Sequence, residues 1–217
     1  MHKKIVFAMM AEVAVGVLAI ITSLSLLLFF FDKVLYKYDA TIIHFVYSLR
    51  SDAMTTIMKC VTFFGGEIFI TAGIIVFFLA IFNKHKISAF NFGFVLIFGI
   101  ILNFLLKDIF QRARPSYMPL AHESSYSFPS GHTMNSFIFY ACIAYFIIRN
   151  IKSKNLRMLT LIGFLIVEFL IGLSRIYLGV HYPSDVTAGY IAGALWFGLV
   201  LIVEKTAKKF GLFKRAS

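Results

Sequence analysis

Three short clusters in this chain carry groups that could do chemistry together. Lys107 is followed, after six residues, by Arg114-Pro115; Pro129-Ser130-Gly131-His132 comes next; Ser174-Arg175 is then followed by His181 and, four residues later, by Asp185. Lys107, Arg114 and Arg175 suit a phosphate, which arginine can grip through two parallel N–H···O bonds. Ser130 and Gly131 precede an apolar run. A serine there is an ordinary helix N-cap. A helix opened by glycine also presents free N–H groups and the positive end of its dipole to an anion. Pro129 fixes the entry to that turn. His132 and His181 are the candidate acid and nucleophile. If a helix begins near Pro183, the Asp185 carboxylate reaches back to one imidazole nitrogen of His181. That would fix the tautomer, steady the imidazolium and leave the other nitrogen to attack. A lone histidine is usually structural, and His2, His44 and His85 are read that way. Lys59 and Arg112 are read as side chains snorkelling to an interface.

The elements that must position these groups are apolar helices. The chain is 60% hydrophobic and 14% charged over 217 residues, too little polar surface for a soluble domain. Several apolar blocks reach the roughly 20 residues a helix needs to cross a bilayer. Helices are required because backbone polar groups must be satisfied inside lipid. Six spans are expected, at 5–31, 55–82, 87–109, 132–148, 156–177 and 185–203, in one all-α membrane domain over residues 1–217. The start resembles a signal peptide, with Lys3 and Lys4 before an apolar run. That run is too long for a signal core and lacks a small-residue cleavage site, so it is read as a retained span. Between the first two spans, Ile42, Ile43, Phe45, Val46 and Leu49 fall at near-helical spacing. They form either a short interfacial helix or an early start of the second span.

The formal net charge of +11 reflects basic residues flanking spans rather than a nucleic-acid surface. Thirteen of the 21 Lys and Arg residues fall on the N-terminus, the 83–86 and 149–157 connections and the C-terminal tail. Those segments are expected to be cytoplasmic. Both termini then lie inside, and the connections at 32–53, 110–131 and 178–184, which carry all three clusters, face out. The expected location is the plasma membrane, with the site at the extracytoplasmic ends of spans three to six. Cys60 and Cys142 lie in apolar stretches with no metal or disulfide spacing.

In order and spacing, the three clusters match the signature of the type 2 phosphatidic acid phosphatase superfamily. Its eleven fixed positions are Lys107, Arg114, Pro115, Pro129, Ser130, Gly131, His132, Ser174, Arg175, His181 and Asp185. The stretch His122-Glu123-Ser124-Ser125-Tyr126-Ser127-Phe128 resembles the small bacterial phosphatidylglycerophosphatase B type. The resemblance implies a lipid phosphatase in which His181 forms a phosphohistidine, His132 protonates the leaving oxygen and Asp185 holds His181. It implies that Lys107, Arg114, Ser130, Gly131 and Arg175 cradle the phosphate.

No metal or other cofactor is expected. Phosphoryl transfer needs charge neutralisation and alignment, which three fixed cations and a helix N-terminus can supply. The expected partners are the bilayer and a membrane lipid phosphate, with no nucleic acid and no obligate protein partner. Phosphatidylglycerophosphate, undecaprenyl diphosphate, phosphatidic acid and diacylglycerol pyrophosphate are the substrate candidates. A lipid phosphotransferase and a non-enzymatic lipid transporter are the alternatives. Tyr117, Tyr126 and Phe128 are read as either lipid-entry residues or interfacial anchors. Glu67, beside Gly65-Gly66, either faces the site or sits at the interface.

Overall fold

The structure, a computed structural model, describes residues 2–82 and 86–210. Lys84, His85, Lys214 and Arg215 therefore lie outside the described residues. The described chain is helical: α1 (His2–Ser48), α2 (Asp52–Phe63), α3 (Glu67–Phe82), α4 (Lys86–Phe110), α5 (Gly131–Asn150), α6 (Lys154–Tyr177) and α7 (Pro183–Lys209). Five stretches are long and apolar enough to cross a membrane, Met9–Phe29, Phe92–Phe110, Gly131–Asn150, Lys154–Tyr177 and Pro183–Lys209. The pair α2 and α3, bent by 40°, makes a sixth span when taken together.

Two elements differ from the sequence expectation. The second span is broken rather than continuous. Gly65 and Gly66 close α2 in tight turns, their N–H groups donating to Thr62 and Phe63 carbonyls at 3.1 and 3.0 Å. A side chain on Gly65 would sit 2.6 Å from Ile171 of α6, so the break packs directly on a neighbour. The segment around Ile42–Val46 is neither a separate helix nor the start of the second span. It continues α1, whose 47 residues make a rod about 70 Å long at 1.5 Å per residue. That is more than twice the hydrocarbon thickness of about 30 Å. The end of α1 bends no apolar face to waste: Val46 is buried with Met58, Ile176, Tyr177, Leu178, Val180 and Val186, and Ile42 and Ile43 pack against them.

The main core lies between α1, α3, α4, α5 and α7. It includes Ile20, Leu24, Ile70, Leu96, Leu106, Met134, Ile138 and Trp196. The lipid-facing side is equally apolar, with Leu165, Ile166 and Phe169 of α6 more than half exposed. Lipid tails are as apolar as leucine, so helices associate through close packing rather than through expulsion of water. The sequence provides for this at Gly189 and Gly193 of α7. A side-chain carbon at Gly189 would lie 2.1 Å from Thr133 Oγ1 and 2.8 Å from the Ser130 carbonyl of α5; one at Gly193 would lie 3.1 Å from the Met134 carbonyl. This crossing sets the start of α7 against the start of α5. The ends of α4 and α6 and the far part of α1 come to the same end of the bundle.

Candidate active site

The segment 111–130 joins α4 to α5 and is held down by backbone and arginine contacts. Ser127 N–H donates to the Arg112 carbonyl and Leu120 N–H to the Leu178 carbonyl, each at 2.8 Å. Arg50, just beyond α1, donates to the Tyr177 carbonyl through Nε (3.0 Å) and Nη2 (2.7 Å) and to the Met118 carbonyl through Nη1 (2.8 Å). After α6 the chain turns at Gly179, whose φ of +75° suits glycine and no larger residue without strain. That turn delivers His181, and Pro183 at once opens α7. Asp185 in its first turn accepts the Tyr182 N–H through Oδ2 at 2.8 Å. The carboxylate therefore points back along the chain, as the four-residue spacing predicts.

His181 is 1% exposed and Asp185 fully buried. His181 Nδ1 lies 3.5 Å from Asp185 Oδ2 and 3.4 Å from Ser127 Oγ, while Ser127 itself donates to Asp185 Oδ2. On the other side of the ring, Arg114 Nη1 is 3.1 Å from Nε2 and also donates to the Val180 carbonyl at 2.8 Å. This network assigns the proton to Nδ1 and leaves the Nε2 lone pair accepting from Arg114. Burial lowers the His181 pKa to about 4. The hydrogen bond and charge of Asp185 raise it, and the Arg175 and Arg114 charges lower it further. His181 is thus a neutral imidazole at physiological pH, the form that can attack.

Its Nε2 side faces a cavity of about 140 Å³ lined by Lys107, Arg114, Glu123, Gly131, His132, Asn103, Asn135 and His181 among others. Gly131 leaves room there, since a side chain on it would meet Asn103 Oδ1 at 2.9 Å. Asp185, Ser130 and Arg175 are not on this wall. Asp185 backs His181. Arg175, 2% exposed, reaches the cavity through its ion pair with Glu123 and donates to Thr62 Oγ1 at 2.7 Å. Lys107 Nζ donates to the Tyr126 carbonyl, and Arg114 holds the Ser125 carbonyl through Nε at 2.6 Å. Ser130 occupies the N-cap of α5 without a capping bond from its side chain. Its buried Oγ and the Nε of Arg175 have no hydrogen-bond partner among the described residues. Buried donors left unmade cost about 1–3 kcal/mol each, and a bound oxyanion is the ligand type that would satisfy both.

Glu123, whose role the sequence left open, acts as an internal anion here. Burial raises its pKa, but the charge and hydrogen bond of Arg175, with Arg114 and His181, outweigh burial and hold it below the ordinary carboxylate value. Glu67 lines the same cavity. Phe128 is fully buried and packs edge-on against Phe110 at 5.1 Å, so it is neither a lipid-entry residue nor an interfacial anchor. Tyr117 stacks on Tyr47 at 6.2 Å, and Tyr126 lines a neighbouring groove with Phe104, Lys107 and Arg114.

Sequence reasoning missed three residues. Ser127 joins His181 and Asp185. Arg112, read as snorkelling, instead pairs with Asp185 at 2.6 Å and with Asp39 at 2.9 Å. Asp39, buried on the far part of α1, accepts from Ser184 N–H and Oγ at 2.7 and 2.6 Å. The available signal was scarcity: the chain has ten acidic residues, and one beside an apolar helix needs a partner.

An apolar helical bundle with two histidines, a carboxylate and three cations gathered at one end defines an integral membrane phosphohydrolase. The chain belongs to the PAP2 superfamily, whose sequence profile matches residues 88–209, and is a membrane lipid phosphatase of that family. It is 36% identical over 166 residues to phosphatidylglycerophosphatase B of Bacillus subtilis (strain 168), covering 75% of this chain and 81% of that one. It is 34% identical over 127 residues to lipid A 1-phosphatase of Rhizobium johnstonii, covering 54% of this chain and 47% of that one. Among solved structures, the transmembrane PAP2-type phosphatidylglycerolphosphate phosphatase from Bacillus subtilis superposes with a TM-score of 0.78 at 29% identity, over 94% of this chain and 98% of that one.

Proposed function

We propose that this phosphatase removes the terminal phosphate of phosphatidylglycerophosphate through a phosphohistidine on His181, at the extracytoplasmic face of the plasma membrane. One observation carries the mechanism: His181 is held at Nδ1 beside Asp185 and offers Nε2 to a cavity shared with Arg114, Lys107 and His132. In the first step Arg114 exchanges its contact with Nε2 for a phosphate oxygen, and the Nε2 lone pair so freed attacks phosphorus as the P–O bond to the lipid breaks. His132 gives its proton to the leaving oxygen. The phosphoimidazolium keeps its Nδ1 proton toward Asp185. In the second step His132 takes a proton from water, the resulting oxygen attacks phosphorus, and the P–N bond breaks to release phosphate and neutral His181. Lys107, Arg114, Arg175, Ser130 and the N–H groups opening α5 at Gly131 hold the equatorial oxygens, where transition-state charge gathers. Glu123 yields Arg175 to the incoming phosphate.

The choice of lipid rests on the 36% identity to a phosphatidylglycerophosphatase over most of both chains. It is tested by measuring kcat/KM for phosphate release from phosphatidylglycerophosphate, phosphatidic acid, diacylglycerol pyrophosphate and undecaprenyl diphosphate with purified protein in detergent. The expected order places phosphatidylglycerophosphate first. A diphosphate hydrolysed at least tenfold faster would overturn the assignment, and absence of phosphate release from every lipid would overturn the enzyme itself.

A further inference from the structure

Asp185 is held more elaborately than a simple histidine partner requires. Its Oδ2 receives Ser127 Oγ, the Tyr182 N–H and the His181 edge, whereas its Oδ1 receives Arg112 Nη1 at 2.6 Å. The same Nη1 donates to Ser184 Oγ at 2.7 Å, Nη2 donates to Asp39 Oδ2 at 2.9 Å, and the guanidinium lies 4.3 Å from the Tyr182 ring centroid. Asp39 is 3% exposed and comes from α1, 145 residues before the Ser184 N–H that it accepts at 2.7 Å. It thus caps the start of α7 from another helix, satisfying a first-turn donor that has no partner within α7.

We propose that Arg112 and Asp39 are positioning residues of the reaction: Arg112 fixes the plane of the Asp185 carboxylate, and Asp39 shares the guanidinium so that the assembly keeps a net negative charge toward His181. The inference rests on the reading of His181 as nucleophile. The charge argument is simple. One guanidinium between two carboxylates sums to minus one. A lone Arg112–Asp185 pair would sum to zero and would offset less of the positive charge that develops on His181 during attack, against the cations around it. Those cations are close on every side. Arg114 comes from the 111–130 segment, Arg175 from α6 and Lys107 from α4. His132 of α5 shares the cavity, and among the described residues the acids on its wall are Glu123 and Glu67. Tyr182 borders His181 on its own segment. A purely structural reading, in which the bracket only pins α1 to the bundle, makes a different prediction about titration.

The test uses the full-length purified protein and p-nitrophenyl phosphate, reading the acid limb of kcat/KM, where His181 must lose its proton to attack. Substrate ionisation is common to all variants. Asp39→Asn removes a negative charge and should move the limb to lower pH by about half a unit; Arg112→Gln removes a positive charge and should move it to higher pH by about one unit. Arg112→Lys keeps the charge but loses the fork. It should leave the limb in place while kcat falls about tenfold. The double variant Asp39→Asn/Arg112→Gln restores the net charge of minus one and should bring the limb back toward wild type. Limbs that stay put or move the same way in both single variants would overturn the proposal, as would a double variant showing no return. If Asp39→Asn does not fold, the Arg112→Gln and Arg112→Lys pair decides: a shift only in the former supports the assignment, and equal limbs overturn it. His181→Ala in the same assay separates the two layers. Retained turnover there overturns the nucleophile reading as well, whereas an inactive His181→Ala with unmoved limbs removes only the roles of Arg112 and Asp39.

Discussion

At the residue scale, two histidines share one cavity but not one environment. His181 is enclosed and tethered at Nδ1, with burial holding its pKa at about 4. His132 stands at the opening turn of α5, on the cavity wall beside Lys107 and Arg114. The proposed division of labour uses this difference in tethering: the tethered ring attacks and the other moves the proton. His132→Ala should therefore cost about 10²–10⁴-fold in kcat/KM, which reports the first step alone, on a lipid alkoxide, the usual scale of general acid catalysis. It should cost far less with p-nitrophenyl phosphate, whose leaving group departs without a proton. Steady-state kinetics of the variant on both substrates check this, and equal losses would leave His132 as a phosphate ligand only. The tethered and cradle residues could be named from the sequence because the three clusters match a family signature in type and spacing; the structure brings His181, His132, Lys107 and Arg114 to one cavity wall and leaves Ser130 and Arg175 off it. Arg112 was not legible. It lies two residues from Arg114 in an irregular segment, and its partner Asp39 is 73 residues away, so only folding reveals the pair.

At the element scale, the site exists because four helix ends and a long α1 meet at one end of the bundle. The crossing of α5 and α7 at Gly189 is the tightest part of that arrangement, with the Ser130 carbonyl 2.8 Å from where a side chain would begin. Gly189→Val should push α7 away from α5, costing about 1–3 kcal/mol of stability by overpacking. It should also separate His181 and Asp185 from the N-terminus of α5, so kcat falls more than the lowered stability explains. Thermal unfolding in detergent, paired with activity of the folded fraction, checks both parts. Unchanged activity would show that the crossing does not set the site. Hydropathy located the spans well, with the four at 87–109, 132–148, 156–177 and 185–203 recovered as α4 to α7 and displaced mainly at their ends. It could not follow α1 beyond the apolar stretch, because a helix leaving the bilayer keeps its backbone bonds while its composition turns polar. Nor could it show that Gly65-Gly66 breaks the second span, since two glycines inside an apolar run also fit straight, close-packed helices.

At the scale of the whole molecule, the bundle has a direction. The Glu12 carboxylate near one end of α1 accepts from Thr206 near the end of α7 at 3.2 Å, while Asp39 meets Ser184 at the opposite end. The two helices are antiparallel, and the ends carrying most of the basic residues lie away from the site. The excess of Lys and Arg at that end predicts a cytoplasmic location for it. In a variant lacking Cys60 and Cys142, a cysteine at Ser116 should react with an impermeant thiol reagent added to intact cells, and one at Lys152 should not. Both positions are exposed at their respective connections, so access to the reagent is decided by side of the membrane. Reversed labelling would place the site on the cytoplasmic face.

The central claim is that phosphate passes through a covalent bond to His181. Rapid quench of the purified enzyme with radiolabelled lipid phosphate, followed by alkaline isolation of labelled peptide, tests it most directly. The label should appear on His181 before steady state is reached, persist longer in His132→Ala with p-nitrophenyl phosphate, where hydrolysis lacks its base, and be absent from His181→Ala with every substrate. A labelled phosphohistidine recovered from His181→Ala, or label found on His132 in the unaltered enzyme, would contradict the account.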